Sequence, residues 1–250
     1  SGGNSTAKLN TIVGDDGDVA ITVSDSGFTT SSATLTAADL SAVGGATTGT
    51  VTVTNAVKIS GNTSQLTNTL VSGSSLVIAG SALVTVSDDG FTTSSTTIAA
   101  TTLSNIGGKT SGAVTVTKAV KITGATADLT NTLVSSSSSV TAGIALVTVS
   151  DAAFASSSTA IAATALSGIG GKTTGAVTLA NKVRIQGSQS EVATALVGGS
   201  SVVASKANTE ARVTTAVNVN QGEEIAGVSN VQGIFASGLS DSLTSLASGG

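Results

Sequence analysis

The sequence predicts a β-rich α/β repeat solenoid, with a parallel-stranded β core and two short helices in every 63-residue repeat. Three observations carry that expectation. The pentad V-S-D-x-x begins at Val23, Val86 and Val149, a Gly-Gly pair falls at Gly44, Gly107 and Gly170, and a single glycine at Gly61, Gly124 and Gly187, always 63 residues apart. Loops of independent domains drift in length whereas stacked units must stay in register, so an unvaried spacing signals stacking. Stretches such as Ala82 to Ser87 alternate apolar and polar residues and are rich in Val and Thr, as half-buried strands are. Finally, 40% of the residues are hydrophobic but only 2% aromatic, so the core must be built from Val, Leu, Ile and Ala, which suit a narrow stacked interior.

Residues 1–18 read as a partial repeat, 19–207 as three repeats (19–81, 82–144 and 145–207) forming one solenoid, and 208–250 as a degenerate terminal repeat or cap with a tail. The segment GNSTAKLNTIV from Gly3 resembles GNTSQLTNTLV from Gly61, so the chain is expected to begin in mid-repeat, as a processed product or a piece of a longer array. In each copy the first strand leads to a polar turn holding Phe28, Phe91 or Phe154. A helix of two to three turns follows. Thr36 is its expected N-cap in the first copy, with Asp39 three residues on and Leu35 with Leu40 as a hydrophobic staple. The staple persists as Ile98 with Leu103 and Ile161 with Leu166, while Ala99 and Ala162 replace the cap. The Gly-Gly pair is expected to stop the helix in a left-handed conformation.

From Ala113 to Thr123, AVTVTKAVKIT predicts two short strands broken near Lys118. The second helix is expected over Ala125 to Val134, with Leu129 and Leu133 on one face, as Leu66 and Leu70 are in the first copy. Each repeat thus reads strand, helix, strand, helix. Strands sit about 4.8 Å apart whereas packed helices need about 8 to 10 Å, so the two kinds of helix are expected on different sides of the β core. Towards the end, Glu223 and Glu224 fall where a stack needs polar capping, and the tail reads either as a short helix with Leu239, Leu243 and Leu246 on one face or as a linker.

Composition excludes several function classes. Charged residues are 10%, the formal charge is −4, and the ten Lys and Arg are scattered singly, so the basic stripe or stacking aromatics of nucleic-acid binding are missing. His, Cys, Met, Trp, Tyr and Pro do not occur. Histidine- and cysteine-based catalytic arrangements and zinc or haem ligation are therefore ruled out. No stretch approaches the roughly 20 apolar residues of a membrane span.

Strands reading VTVSD, followed by alanine-rich segments such as TAADLSAVGGATTGTVTV and GATADLTNTL, resemble repeat arrays of very large extracellular proteins of marine cyanobacteria, and similar repeats in structural proteins of cyanophage virions. The resemblance covers residues 3–207 and implies a surface, adhesive or fibre role outside the cell or on its surface, or in a virion, with no catalytic residues to carry over.

Calcium is a candidate ligand at the D-D-G-D turn of Asp15, Asp16 and Asp18, and Asp25, Asp88 and Asp151 recur at matching positions. A recurrent Asp is, however, more often a turn former or helix cap. GGKT at Gly107 and Gly170 follows a helix rather than preceding one, so it reads as a helix stop and not a phosphate loop. Lys118, Lys121, Lys182 and Arg184 read as strand-face or edge gatekeepers, and Asn4 and Asn62 lie in N-x-[ST] patterns. Three readings stay open: a non-enzymatic, self-assembling fibre, surface-layer or spacer element; a virion fibre or decoration protein; and an adhesin for a surface glycan, for which the scarcity of aromatics is unfavourable.

Overall fold

The computed structural model describes residues 16–29, 34–92, 97–155, 160–197, 202–205, 207 and 209–248. Among them every strand pairing is parallel, and short helices connect the strands in an α/β arrangement. The chain forms two compact units, Ser1–Val120 with Ser135–Ala142, and Lys121–Val134 with Gly143–Gly250. The passage at Val120 falls inside the second copy rather than between copies.

In the first unit, β1 (Ile21–Val23), β3 (Val51–Val53) and β5 (Val77–Ile78) form one sheet with β3 in the middle. A second sheet runs in the order β10 (Val140–Thr141), β8 (Val114–Val116), β6 (Leu83–Val86), β4 (Lys58–Gly61) and β2 (Leu35–Thr36). Through the first copy, successive strands therefore alternate between the two sheets, and each of β1 to β4 pairs with the strand two places on, while β5 ends its sheet. The change of sheet between β3 and β4 is made by a tight turn in which the Val57 N–H donates to the Asn55 carbonyl at 2.8 Å. Strand β4 pairs with β6 of the next copy, Ile59 opposite Val84 and Ser60 opposite Thr85.

The second unit repeats this logic. Strands β9 (Lys121–Gly124), β11 (Leu146–Val149), β13 (Val177–Leu179) and β15 (Val202–Ala204) stand side by side in that order. Strands β12 (Ile161–Ala162), β14 (Arg184–Gly187), β16 (Thr209–Val213) and β17 (Val231–Phe235) form another sheet. Here β9 of the second copy pairs with β11 of the third, Ile122 opposite Val147. The strand class and the break near Lys118 follow the sequence expectation. Among the described residues each copy nevertheless has five strands where strand, helix, strand, helix was expected. The extra ones, such as β2 and β5, are two or three residues long and too short to show alternation.

Helices α1 (Ala37–Gly45), α3 (Ala100–Gly107) and α5 (Ala163–Gly170) are the first helices of the three copies. Thr36 caps α1 by accepting the Asp39 N–H at 3.1 Å and donating to the Asp39 carboxylate at 2.7 Å, whereas Ala99 and Ala162 offer no side-chain cap. The left-handed stop at the Gly-Gly pair is not what forms. The capping residues Ala46, Gly108 and Gly171 are all right-handed, with φ of −84°, −67° and −70°. The first glycine is required for close approach instead. A Cβ on Gly44 would lie 2.0 Å from the Ser75 carbonyl oxygen, and one on Gly107 equally close to that of Ser138.

The second helices begin as α2 (Thr63–Leu66) and α4 (Thr126–Leu129), and each continues as a π-helical turn, Thr67–Val71 and Thr130–Val134. In the third copy α6 (Gln189–Leu196) is α-helical throughout. First and second helices of a copy were expected on different sides of the β core, but they pack on each other: α1 on the α2 segment and α5 on α6. In the first copy the Thr69 hydroxyl donates to the Ala37 carbonyl of α1 at 2.7 Å. Beyond the third copy come α7 (Val219–Ala226) and α8 (Leu243–Ser248).

The core is aliphatic, as composition requires. Val51, Ile59, Leu66, Leu103, Ile106 and Val114 in the first unit, and Ile122, Leu129, Leu166, Ile169 and Ile185 in the second, are sealed from solvent. At about 25 cal/mol per Å² of apolar area removed from water, burial of this kind is the main stabilising contribution available to a chain in which only 10% of the residues are charged. Phe28, Phe91 and Phe154 hold equivalent places and are all half-buried. Each donates its N–H to a carbonyl just before the lysine- or arginine-bearing strand, at Ala56, Ala119 and Lys182.

Candidate functional site

The recurrent aspartates act as helix caps. Asp88 accepts the Thr63 N–H at 2.7 Å and the Thr63 hydroxyl at 2.9 Å, and Asp151 accepts both from Thr126, each at 2.7 Å. Because β6 and β11 lie beside β4 and β9, an Asp two residues past the strand reaches the N-terminus of the helix that follows the neighbouring strand. A negative charge there satisfies free N–H groups and complements the helix dipole. The carboxylate thus locks each copy to the one before it. Asp25, the first of the series, is exposed, and its carboxylate holds no hydrogen bond among the described residues.

Beside Asp88 lies a cleft of about 470 Å³, lined by Thr63, Thr67, Asn68, Thr97, Ile98 and Thr102 among others. Hydroxyls dominate it, and its one carboxylate is already taken by Thr63. The Thr67 hydroxyl oxygen is shielded from solvent and without a hydrogen-bond partner, as is that of Thr130 one copy later.

At the acidic turn, Asp15 lies outside the described residues, while Asp16 and Asp18 are exposed. A hydrogen bond and charge repulsion from Asp16 raise the Asp18 carboxyl above its ordinary value. Among the described residues no group of three or more acidic side chains is placed to hold a metal ion.

Cations serve the strand faces. Arg184 on β14, flanked by β12 and β16, forms an ion pair with Glu210 at 2.7 Å through both Nε and Nη2, and its guanidinium lies 3.8 Å from the centre of the Phe154 ring. The exposures of the two charged side chains, 24% and 14%, place this pair partly out of water, where a planar guanidinium on an aromatic face is favourable. Lys58 sits over Phe28 more loosely, at 5.4 Å. Lys118 pairs with Asp89 at 2.7 Å in the open, and this neighbour holds the Asp89 carboxyl below its usual range. Asn62 is occupied as a cap, accepting the Gln65 N–H while Gln65 accepts its own, and Asn4 lies outside the described residues. Glu223 and Glu224 are exposed on α7. Lys109 and Lys172 of the two GGKT stretches follow helices α3 and α5, in turns and exposed.

Compared with known protein families, curated proteins and solved structures, the chain matches none. Among the described residues no helix is long and apolar enough to cross a membrane.

Proposed function

We propose that this chain is a non-enzymatic structural repeat protein whose 63-residue copies stack as a solenoid, working outside the cell or at its surface as a fibre, surface-layer or spacer element that associates with further copies of itself. The observation carrying this reading is the way one copy is fastened to the next. A strand of the first copy pairs with one of the second, and a strand of the second with one of the third, in the same register. Asp88 and Asp151 then cap the helix of the preceding copy. Units fastened in this way cannot complete their own sheets alone, which is the property that makes repeat arrays grow in one dimension.

The chemistry of the chain supports the same role. It has no histidine or cysteine, its recurrent Asp88 and Asp151 are used as caps, and only 10% of its residues are charged. Low charge leaves little repulsion between molecules, and unpaired parallel edges are templates for further strands.

Purified protein examined by electron microscopy and light scattering over a range of concentration, with and without calcium, is expected to form elongated assemblies that lengthen with concentration. Compact monomers under all of these conditions would refute the reading.

A further inference from the structure

The cleft beside Asp88 lies where the second helix of the first copy, α2 with its π-helical turn, meets α3, the first helix of the second. Ser64 and Asn68 stand four residues apart on the α2 side, and Thr97 and Thr102 flank the start of α3. The Thr63 hydroxyl is given to Asp88, and that of Thr67 is shielded from solvent. The side chains of Ser64, Asn68, Thr97 and Thr102, by contrast, make no hydrogen bond among the described residues, and all but Thr102 are exposed. Three hydroxyls and one amide are thus free around a common space of about 470 Å³, within the roughly 300 to 1,000 Å³ of small-molecule sites. One copy on, the equivalent positions are Ala127, Asn131, Ala160 and Ala165, while Asp151 and Ile161 keep the places of Asp88 and Ile98. Asp151 caps its helix as Asp88 does, so the junction between copies is built equally well without these hydroxyls.

The lining decides what chemistry fits. It contains no Lys or Arg, and Asp88 sets a negative charge at one side, so an anion is repelled. A calcium ion takes about six to eight oxygen ligands, several of them usually carboxylates, whereas Asp88 is the one carboxylate here and is held by the Thr63 N–H and hydroxyl. An apolar molecule would take the four free groups out of water without replacing their hydrogen bonds, at a cost that contact with Ile98 and Ala99 does not offset. A neutral molecule dense in hydroxyls meets every condition, because each of its hydroxyls both donates and accepts, as the lining side chains do. Its C–H face has Ile98 and Ala99 to rest on.

We propose that the cleft between α2 and α3 binds a neutral saccharide, with Ser64, Asn68, Thr97 and Thr102 supplying hydrogen bonds and Ile98 with Ala99 the apolar contact. This goes beyond the assembling role, since a fibre or spacer keeps its form whether or not the cleft is filled, and the cleft lies within one compact unit. With no aromatic ring in the lining, hydrogen bonds carry the recognition. Each returns little net free energy in exchange for those made to water, so a single sugar unit binds weakly.

Saturation-transfer NMR detects weak binding to monomers and assemblies alike. Glucose, galactose, mannose and N-acetylglucosamine at millimolar concentration serve as probes of the full chain, with glucuronate and glucosamine as charged counterparts. At least one neutral sugar should receive saturation. Asn68→Leu, Thr97→Val and Thr102→Val together keep the shape of the cleft and remove its polar groups, and should lower that signal several-fold with circular dichroism unchanged. In a separate variant, Ala127→Ser, Ala160→Thr and Ala165→Thr place the missing hydroxyls at the next junction and should raise the signal. No transfer to any neutral sugar, or transfer confined to the charged sugars, would overturn the proposal. So would an undiminished signal in the first variant while it stays folded, or, should it unfold, an unchanged signal in the second. None of these results bears on assembly, which microscopy reads on its own.

Discussion

The second helix of the first copy and that of the third occupy the same place in the repeat, yet they end differently. After Thr63–Leu66 the chain widens into a π-helical turn, and the Ser72 N–H reaches back five residues to the Thr67 carbonyl at 2.9 Å. In Gln189–Leu196 the Val197 N–H reaches back four, to Ala193 at 2.8 Å. The local difference is TNTLV against ATALV. Thr69 is fully buried, and its hydroxyl donates both to the Gln65 carbonyl four residues earlier and to Ala37 on the neighbouring helix. Ser75 donates its hydroxyl to the Thr69 carbonyl, drawing that group out of the α-helical ladder. Threonine back-bonding to the i−4 carbonyl loosens a helix, and a widened turn accommodates the competition. Where Ala195 replaces Thr69, the hydroxyl is gone and the ladder stays regular. A buried threonine thus ties the two helices of a copy together at the expense of helix geometry.

Substitutions can break or sharpen that comparison, and the largest effect is expected where both helices depend on the same core. Leu66 is sealed from solvent, so Leu66→Ala should lower the unfolding free energy by about 2–5 kcal/mol through lost burial and the cavity left behind. Chemical denaturation measures this, and a loss under 1 kcal/mol would contradict a load shared by the repeat core. Next, Thr69→Val keeps the shape but removes the hydroxyl's hydrogen bonds to the Ala37 and Gln65 carbonyls, and a cost of about 1 kcal/mol is expected. The reverse change, Ala195→Thr, should slow or speed amide exchange at Val197 if the hydroxyl is what widens the turn. Unaltered exchange there would assign the π-helical turn to another cause.

A smaller effect concerns the uncapped first helix. Ala99→Thr restores at α3 the cap that Thr36 gives α1, and should raise stability by about 1 kcal/mol. Thr130→Ala removes a buried hydroxyl with no partner and introduces the residue that the third copy already has at Ala193. A gain of up to about 1 kcal/mol is expected in thermal or chemical unfolding, and any loss would mean that the hydroxyl is satisfied in solution. The smallest effect is on pH. Hydrogen bonds from the backbone of Ser242 and Val219 hold the Asp241 carboxyl below its ordinary value. Its folded value being depressed, its contribution is present above the ordinary carboxylate range and is lost as pH falls through the lowered value. Amide exchange at Val219 and Ser242 should therefore exceed the intrinsic pH trend on acidification, and Asp241→Asn should flatten that excess.

Much of the architecture was legible because it rests on local pattern. Alternation in V-T-V marks the strands, the leucines four apart mark the buried helix face, and Thr36 with Asp39 marks a cap, since each depends on residues within a few positions of one another. The aspartates were legible as caps only in kind: that Asp88 caps the helix beginning at Thr63, 25 residues earlier, follows from β6 lying beside β4. The acidic turn offered a calcium candidate of which Asp16 and Asp18 are exposed and Asp15 lies outside the described residues.

By itself the sequence determined the 63-residue spacing, the aliphatic core, the two helices per copy and the absence of histidine and cysteine chemistry, all of which follow from residue identity and short-range periodicity. Only the tertiary structure decided that each copy contributes five strands among the described residues, that the two helices pack together in the first copy and in the third, and that Gly44 and Gly107 serve close approach to the Ser75 and Ser138 carbonyls rather than a left-handed stop. The physical reason is that pairing partners, helix neighbours and covered edges are contacts between segments far apart in sequence, and two-residue strands carry too little pattern of their own to announce them.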